Sequence, residues 1–171
     1  VALPMLHLAH SGRSMLSRIL RKETRFPVCG EMERLPLASA SIGLVWSNMA
    51  LHWASDPVRA ISELQRVLVP GGLLMLSTLG PDTLKELRAT AGAARVHPFA
   101  DMHDIGDQLV AAGLTDPVME AEHLTMTYPG GDALLADLRA SGQTCALTTR
   151  ARGLRGRQFL AGLRHGLDAG R

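Results

Sequence analysis

LPLASASIGLVWSNMALHWASDPVRAISELQRVLVPGGLLMLSTLGPDTLKEL, residues 35–87, decides the fold. Ile42-Gly43-Leu44-Val45-Trp46 is a short apolar run with the length and character of a strand buried on both faces. Asp56-Pro57 opens a helix: Asp accepts from the first-turn amides, and Pro loses nothing where its N–H would have no partner. Val58, Ile61, Leu64 and Leu68 recur at helical spacing and give that helix one apolar face. Pro70-Gly71-Gly72 ends it and turns the chain. Leu73 to Thr78 is a second apolar strand. Two buried strands joined by a helix predict a parallel crossover unit. In such sheets ligands sit beyond the carboxyl ends of the strands, here Ser47-Asn48 and Thr78-Leu79-Gly80.

The flanks extend this pattern. Phe26-Pro27-Val28-Cys29 reads as a short strand, with Pro27 at an edge or a strand start, and Cys29 as a small core residue. Beyond Asp82 a helix runs through Leu84, Leu87 and Arg88 to Gly92, followed by a loop holding His97-Pro98. Asp101 caps a helix whose Ile105, Leu109 and Val110 face inward and whose stop is Gly113. Val118 to Tyr128 is strand-like, with Leu124, Met126 and Tyr128 alternating against Thr125 and Thr127. Asp132 caps a helix burying Leu134, Leu135 and Leu138, and Arg155 to Leu167 is a last, basic helix.

With 171 residues, 46% hydrophobic and 20% charged, the chain has the composition of one globular domain. A net charge of +2 argues against a general polyanion binder. Two cysteines, Cys29 and Cys145, suit a reducing cytoplasm rather than a disulfide framework. No apolar run reaches the ~18 residues of a membrane span. The seven histidines are scattered; His7 and His10 share a helix face, but no Cys or acidic partner completes a metal site. Nucleic acid is not indicated, since the one basic segment lacks interleaved aromatics.

WSNMALHW together with TLGPDTLKELR resembles the class I S-adenosylmethionine-dependent methyltransferases, and among them the malonyl-acyl-carrier-protein O-methyltransferases of biotin synthesis. ALPMLHLA (2–9), VCGEMERLP (28–36), FADMHDIGDQLVAAGL (99–114) and YPGGDALLADLRASG (128–142) carry the resemblance over nearly the whole chain. It implies an α/β fold: a Rossmann-like doubly wound methyltransferase sheet, incomplete here, with the N-terminal Gly-rich strand-turn and the last strand missing. Residues 1–171 would be a partial methyltransferase domain, with 1–92 the cofactor-side half and 93–171 the substrate-side part. The cofactor implied is S-adenosylmethionine, the partner an acyl carrier protein and the location cytoplasmic. A protein arginine hydroxylase of the complex I assembly-factor kind and a truncated, non-catalytic remnant are the alternatives.

The resemblance assigns residues. Glu31 stands where the family has an Asp that accepts from the adenine amino group; Met32 lies beside it, and Asn48 faces the methyl-donor pocket. Otherwise Glu31 is a solvated acid at a loop start, and Asn48 a polar strand terminus. Trp53 follows the active-site loop and is either core or substrate pocket. His97 lies on the insertion that covers the substrate. A cation should hold the substrate's carboxylate, with Arg88 and Arg139 as candidates. Cys145 replaces a family Asn with a weaker hydrogen-bonding group. Arg150, Arg152, Arg155 and Arg157 form a run without an acid, read as a solvated helix start or as a docking patch for an acidic carrier.

By the same resemblance the acid that holds the cofactor's ribose, and the Gly-rich turn at its methionine end, would precede Val1. Losing two polar anchors of ~1 kcal/mol or more each lowers affinity at least tens-fold. Calorimetry of the purified chain with S-adenosylmethionine is expected to show weak or no binding; a low-micromolar dissociation constant would overturn this.

Overall fold

The computed structural model describes residues 26–143 and 156–169. The expectations placed on His7, His10, Cys145, Arg150, Arg152 and Arg155 lie outside them. The chain forms two compact units whose boundary in sequence falls between Leu76 and Ser77.

In the first unit, strand β1 (Ile42–Asn48) and strand β2 (Leu68–Ser77) are neighbours in a two-stranded sheet, and helix α1 (Pro57–Val67) connects them. The pair is parallel. Just before β1 the Ser41 N–H donates to the Val67 carbonyl at 2.9 Å, and further on Gly72 lies against the Gly43 carbonyl. Paired positions therefore rise together along both strands, whereas in an antiparallel pair one would fall. Asp56 caps α1 as expected, accepting from the Arg59 N–H at 3.1 Å, and Pro57 occupies the first helical position. Ala60, Ile61, Leu64 and Val67 are buried.

Three expectations for the crossover fail on physical grounds. Val58 is exposed, because the buried arc centres between Ala60, Ile61 and Val67 and Val58 lies on the far side of the helix from it. The helix stops at Val67, before Pro70-Gly71-Gly72: the chain is already extended at Leu68, and the turn sits inside β2 with Gly71 at φ 76°. The residue before a proline is pushed out of the helical region, so the helix has to end early. And β1 is not buried on both faces. Leu44 and Trp46 are 53% and 75% exposed, and among the described residues nothing covers the face they share.

Residues 26–29 form no strand, and Phe26, Val28 and Cys29 are exposed, so Cys29 is not a core residue. No described strand offers this segment a ladder, and Pro27 has no N–H to donate to one.

The second unit is helical among its described residues: α2 (Lys85–Ala91), a 3-10 turn (Ala93–Arg95), α3 (Met102–Ala111), α4 (Gly131–Ala140) and α5 (Arg157–Ala169). Asp101 caps α3, accepting from the His103 N–H at 2.8 Å, and Gly113 at φ 90° follows its end. Ile105 and Leu109 are buried, but Val110 is exposed. Helix α4 starts one residue before Asp132, and its amide is satisfied from another helix: the Gly131 N–H donates to Asp168 Oδ1 on α5 at 2.9 Å. Asp132 instead pairs with Arg164 of α5 at 2.6 Å. Leu134, Leu135 and Leu138 are half-buried. Residues 117–128 form no strand; Val118, Leu124 and Met126 are exposed. Alternation suits a strand but cannot make one without a neighbour to hydrogen-bond.

Ile61 is fully buried in the first unit. Ile61→Ala is expected to cost about 2–5 kcal/mol in urea unfolding followed by tryptophan fluorescence.

Candidate functional site

Strand β1 ends at Asn48, which is exposed; Ser47 is half-buried. Met49 follows at φ 50°, a left-handed conformation uncommon for a residue with a side chain. A 3-10 turn then runs Leu51–Trp53, burying Leu51 and His52 and leaving Trp53 at 41% exposure. The His52 and Trp53 ring centroids are 5.1 Å apart. Glu31 and Met32 lie on a tight turn in which Glu31 and Arg34 form an isolated antiparallel bridge. Glu31 is exposed and Met32 half-buried. The turn folds so closely on Pro36 that a Cβ at Gly30 would clash with the proline ring.

What fixes this turn is a set of charged groups that the sequence reading did not single out. Glu33 Oε1 accepts from the backbone amides of Ser55 and Asp56 at 2.6 and 2.9 Å, tying the turn to the start of α1. Arg59 Nε donates to the Glu33 carbonyl at 3.1 Å. Nearer the other end of α1, Glu63 Oε2 accepts from the Leu35 N–H at 2.8 Å. Arg66 holds Glu63 with two nitrogens, Nε to Oε1 at 2.8 Å and Nη2 to Oε2 at 2.9 Å. The same guanidinium donates to the Leu35 and Leu37 carbonyls at 3.1 and 3.0 Å and to Ser39 Oγ at 3.1 Å. The Arg66 hydrogen bonds, followed by the Leu35 amide, lower the Glu63 pKa to about 2. Glu63 and Arg66 stand three apart on a helix, a pairing visible in sequence. Their reach to residues 35–39 is not.

In the second unit the structure brings two of the sequence candidates together. Arg88, in α2 and half-buried, donates from Nη2 to the His97 carbonyl at 3.0 Å. Its guanidinium carbon lies 6.0 Å from the Phe99 ring centroid, and His97 meets the same ring edge-on at 5.7 Å. The loop is anchored next to His97 by buried Val96. Arg139 is exposed on α4, and Arg157 is exposed at the start of α5. Arg95 lies over the Phe159 ring at 4.6 Å. The Tyr128 hydroxyl donates to Asp137 Oδ2 at 2.7 Å, which raises the Tyr128 pKa. Hydrogen bonds from the His103 amide, and then from its ring, lower that of Asp101. Among the described residues no group of three or more His, Cys, Asp or Glu is arranged to hold a metal ion. No helix among them is long and apolar enough to cross a membrane.

Residues 10–76 match the family described as a methyltransferase domain. A malonyl-[acyl-carrier protein] O-methyltransferase of Methylovorus sp. strain MP688 is 50% identical over 164 residues, covering 94% of this chain and 55% of that protein. The enzyme of the same description from Gallionella capsiferriformans strain ES-2 is 46% identical over 167 residues, 95% of this chain and 58% of its own length. The chain is a relative of the class I S-adenosylmethionine-dependent methyltransferases. It spans about half the length of these curated relatives. The crystal structure of the YcgJ protein of Bacillus subtilis shares the fold, with a TM-score of 0.62 at 20% identity, over 99% of this chain and 67% of that one. The crossover β1–α1–β2 is thus part of a Rossmann-like methyltransferase sheet, of which the described residues form two strands.

The Glu63 clamp makes a pH prediction. A carboxyl whose pKa falls from 4.5 to about 2 on folding contributes stability that is present above pH 4.5 and lost as the pH drops toward 2. Urea unfolding at stepped pH is expected to show the chain losing more stability than Glu63→Gln across that window. Parallel losses in the two proteins would mean that the clamp contributes nothing.

Proposed function

We propose that this protein methylates the free carboxylate of a malonyl group carried on an acyl carrier protein, with S-adenosylmethionine as donor. The observation that carries the proposal is the 50% identity to a malonyl-[acyl-carrier protein] O-methyltransferase over 94% of this chain.

The residues of the first unit fit the adenine side of such a cofactor. The Glu31 carboxylate is exposed and makes no ion pair or side-chain hydrogen bond among the described residues, so it is open to accept from an amino group. Half-buried Met32 offers a thioether beside it for the face of a ring. Asn48 presents a carboxamide, both donor and acceptor, at the end of β1. When bound, S-adenosylmethionine supplies an electrophilic methyl group on a good leaving group. The acceptor carboxylate is already ionised, so no residue of this chain has to act as a general base. The protein's contribution is alignment and the exclusion of water. His97, whose carbonyl Arg88 holds, is proposed as a wall of the acceptor site. The basic segment containing Arg157 would steer the acidic carrier, raising its on-rate more than its affinity. The cytoplasm is the location proposed for the reaction.

The test is transfer of a labelled methyl group at saturating donor to malonyl-carrier and to acetyl-carrier protein. Label in a base-labile ester on the malonyl form alone is expected. Equal labelling of the acetyl form, or label on an arginine of a protein acceptor, would refute the proposal.

A further inference from the structure

We infer that Arg88 is the cation that receives the free carboxylate of the acyl substrate; the inference rests on the function proposed above and names the residue that recognises its acceptor. Arg88 and Arg139 are equivalent in the sequence, and the structure separates them.

Arg139 is exposed on α4, where a guanidinium is well hydrated and binding an anion recovers little. Arg88 is half-buried and makes no ion pair among the described residues. Its Nε is buried with no hydrogen-bond partner. A guanidinium withdrawn from water without a counter-charge is an unfavourable arrangement unless an anion completes it. Its orientation is also set in advance. Nη2 is tied to the His97 carbonyl at 3.0 Å and Phe99 lies near the guanidinium, so little side-chain freedom is left to lose on binding. One of the five N–H donors is committed to His97, which leaves enough to grip both oxygens of a carboxylate.

The other described arginines of this unit are otherwise placed. Arg95 lies over Phe159, Arg164 is paired with Asp132, and Arg157 is exposed. A lysine at position 88 would keep the charge and lose the planar fork.

The experiment measures binding of malonyl-pantetheine and acetyl-pantetheine to the purified chain and to Arg88→Ala, Arg88→Lys and Arg139→Ala, with far-ultraviolet dichroism to establish that each variant is folded. The chain is expected to prefer the malonyl probe by about tenfold or more, the range of a hydrogen-bonded charge pair. Arg88→Ala should abolish that preference, Arg88→Lys should retain part of it, and Arg139→Ala should leave it intact. In nitrogen-15 spectra, the malonyl probe alone should move the Arg88 Nε–H signal. A preference that survives in Arg88→Ala, or is absent from the unaltered chain, overturns the assignment. Failure of the functional reading looks different: an Arg88-dependent malonyl preference would stand while the labelled methyl group appeared elsewhere than on the carboxylate.

Discussion

The two-nitrogen grip of Arg66 on Glu63 is the interaction on which the first unit depends. Residues 35–39 have no regular structure, so their backbone groups need partners from outside. Arg66 supplies donors to the Leu35 and Leu37 carbonyls and to Ser39, and Glu63 takes the Leu35 amide. The segment leads straight into the sheet: Ala40 and Ser41 donate to the Arg66 and Val67 carbonyls at 2.9 Å, and β1 starts at Ile42. Helix α1 therefore has two duties on different faces. Its apolar arc, with Ile61 and Val67 fully buried, makes the core, and its charged face pins the loop that delivers β1 in register and presents Glu31 and Met32.

The second unit is held by close backbone approach more than by a broad core. Gly131 packs against Leu167, and a Cβ at Gly166 would overlap Thr90, so α5 comes near both α4 and α2 at positions where there is no side chain. Asp168 then supplies the start of α4 with an acceptor that its own glycine cap lacks. The YPGG motif, which carried part of the family resemblance, thus has a packing role here. Such positions are specific in sequence because few residue types fit them, whatever chemistry happens nearby.

The features that were legible in sequence are those decided within a few residues. The Asp56 and Asp101 caps, the crossover of β1, α1 and β2, and the stop at Gly113 each follow from neighbours in the chain. The features that were missed depend on distant partners. The second half of Val118 to Tyr128 alternates cleanly yet forms no strand ladder among the described residues, and Asp132 looks like a cap until Asp168 of α5 reaches the Gly131 amide across 37 residues. The reach of Arg66 to Leu35, across 31 residues, leaves no local trace. At the candidate site, Arg88 and His97 were both singled out, but the hydrogen bond between them joins a side chain to a backbone carbonyl, and no pattern of residue types encodes the position of a carbonyl. Arg139 also lies on a helix that the sequence predicts, so sequence could not rank the two arginines.

Among the described residues the one carboxyl driven down to about 2 is Glu63, and it belongs to a structural clamp. Strongly shifted groups often mark catalytic sites, because acids and bases must be tuned to their task. That reasoning presumes a proton to be moved. When the nucleophile arrives as a carboxylate, tuning has nothing to act on, and rate depends on holding two reactants in line and dry. The residues to look for are then those whose orientation is fixed before the substrate arrives and whose charge is left uncompensated until it does. Glu63 fails that criterion, because Arg66 already neutralises it on two bonds. Arg88 meets it, held at one nitrogen by a backbone carbonyl and, among the described residues, matched by no carboxylate.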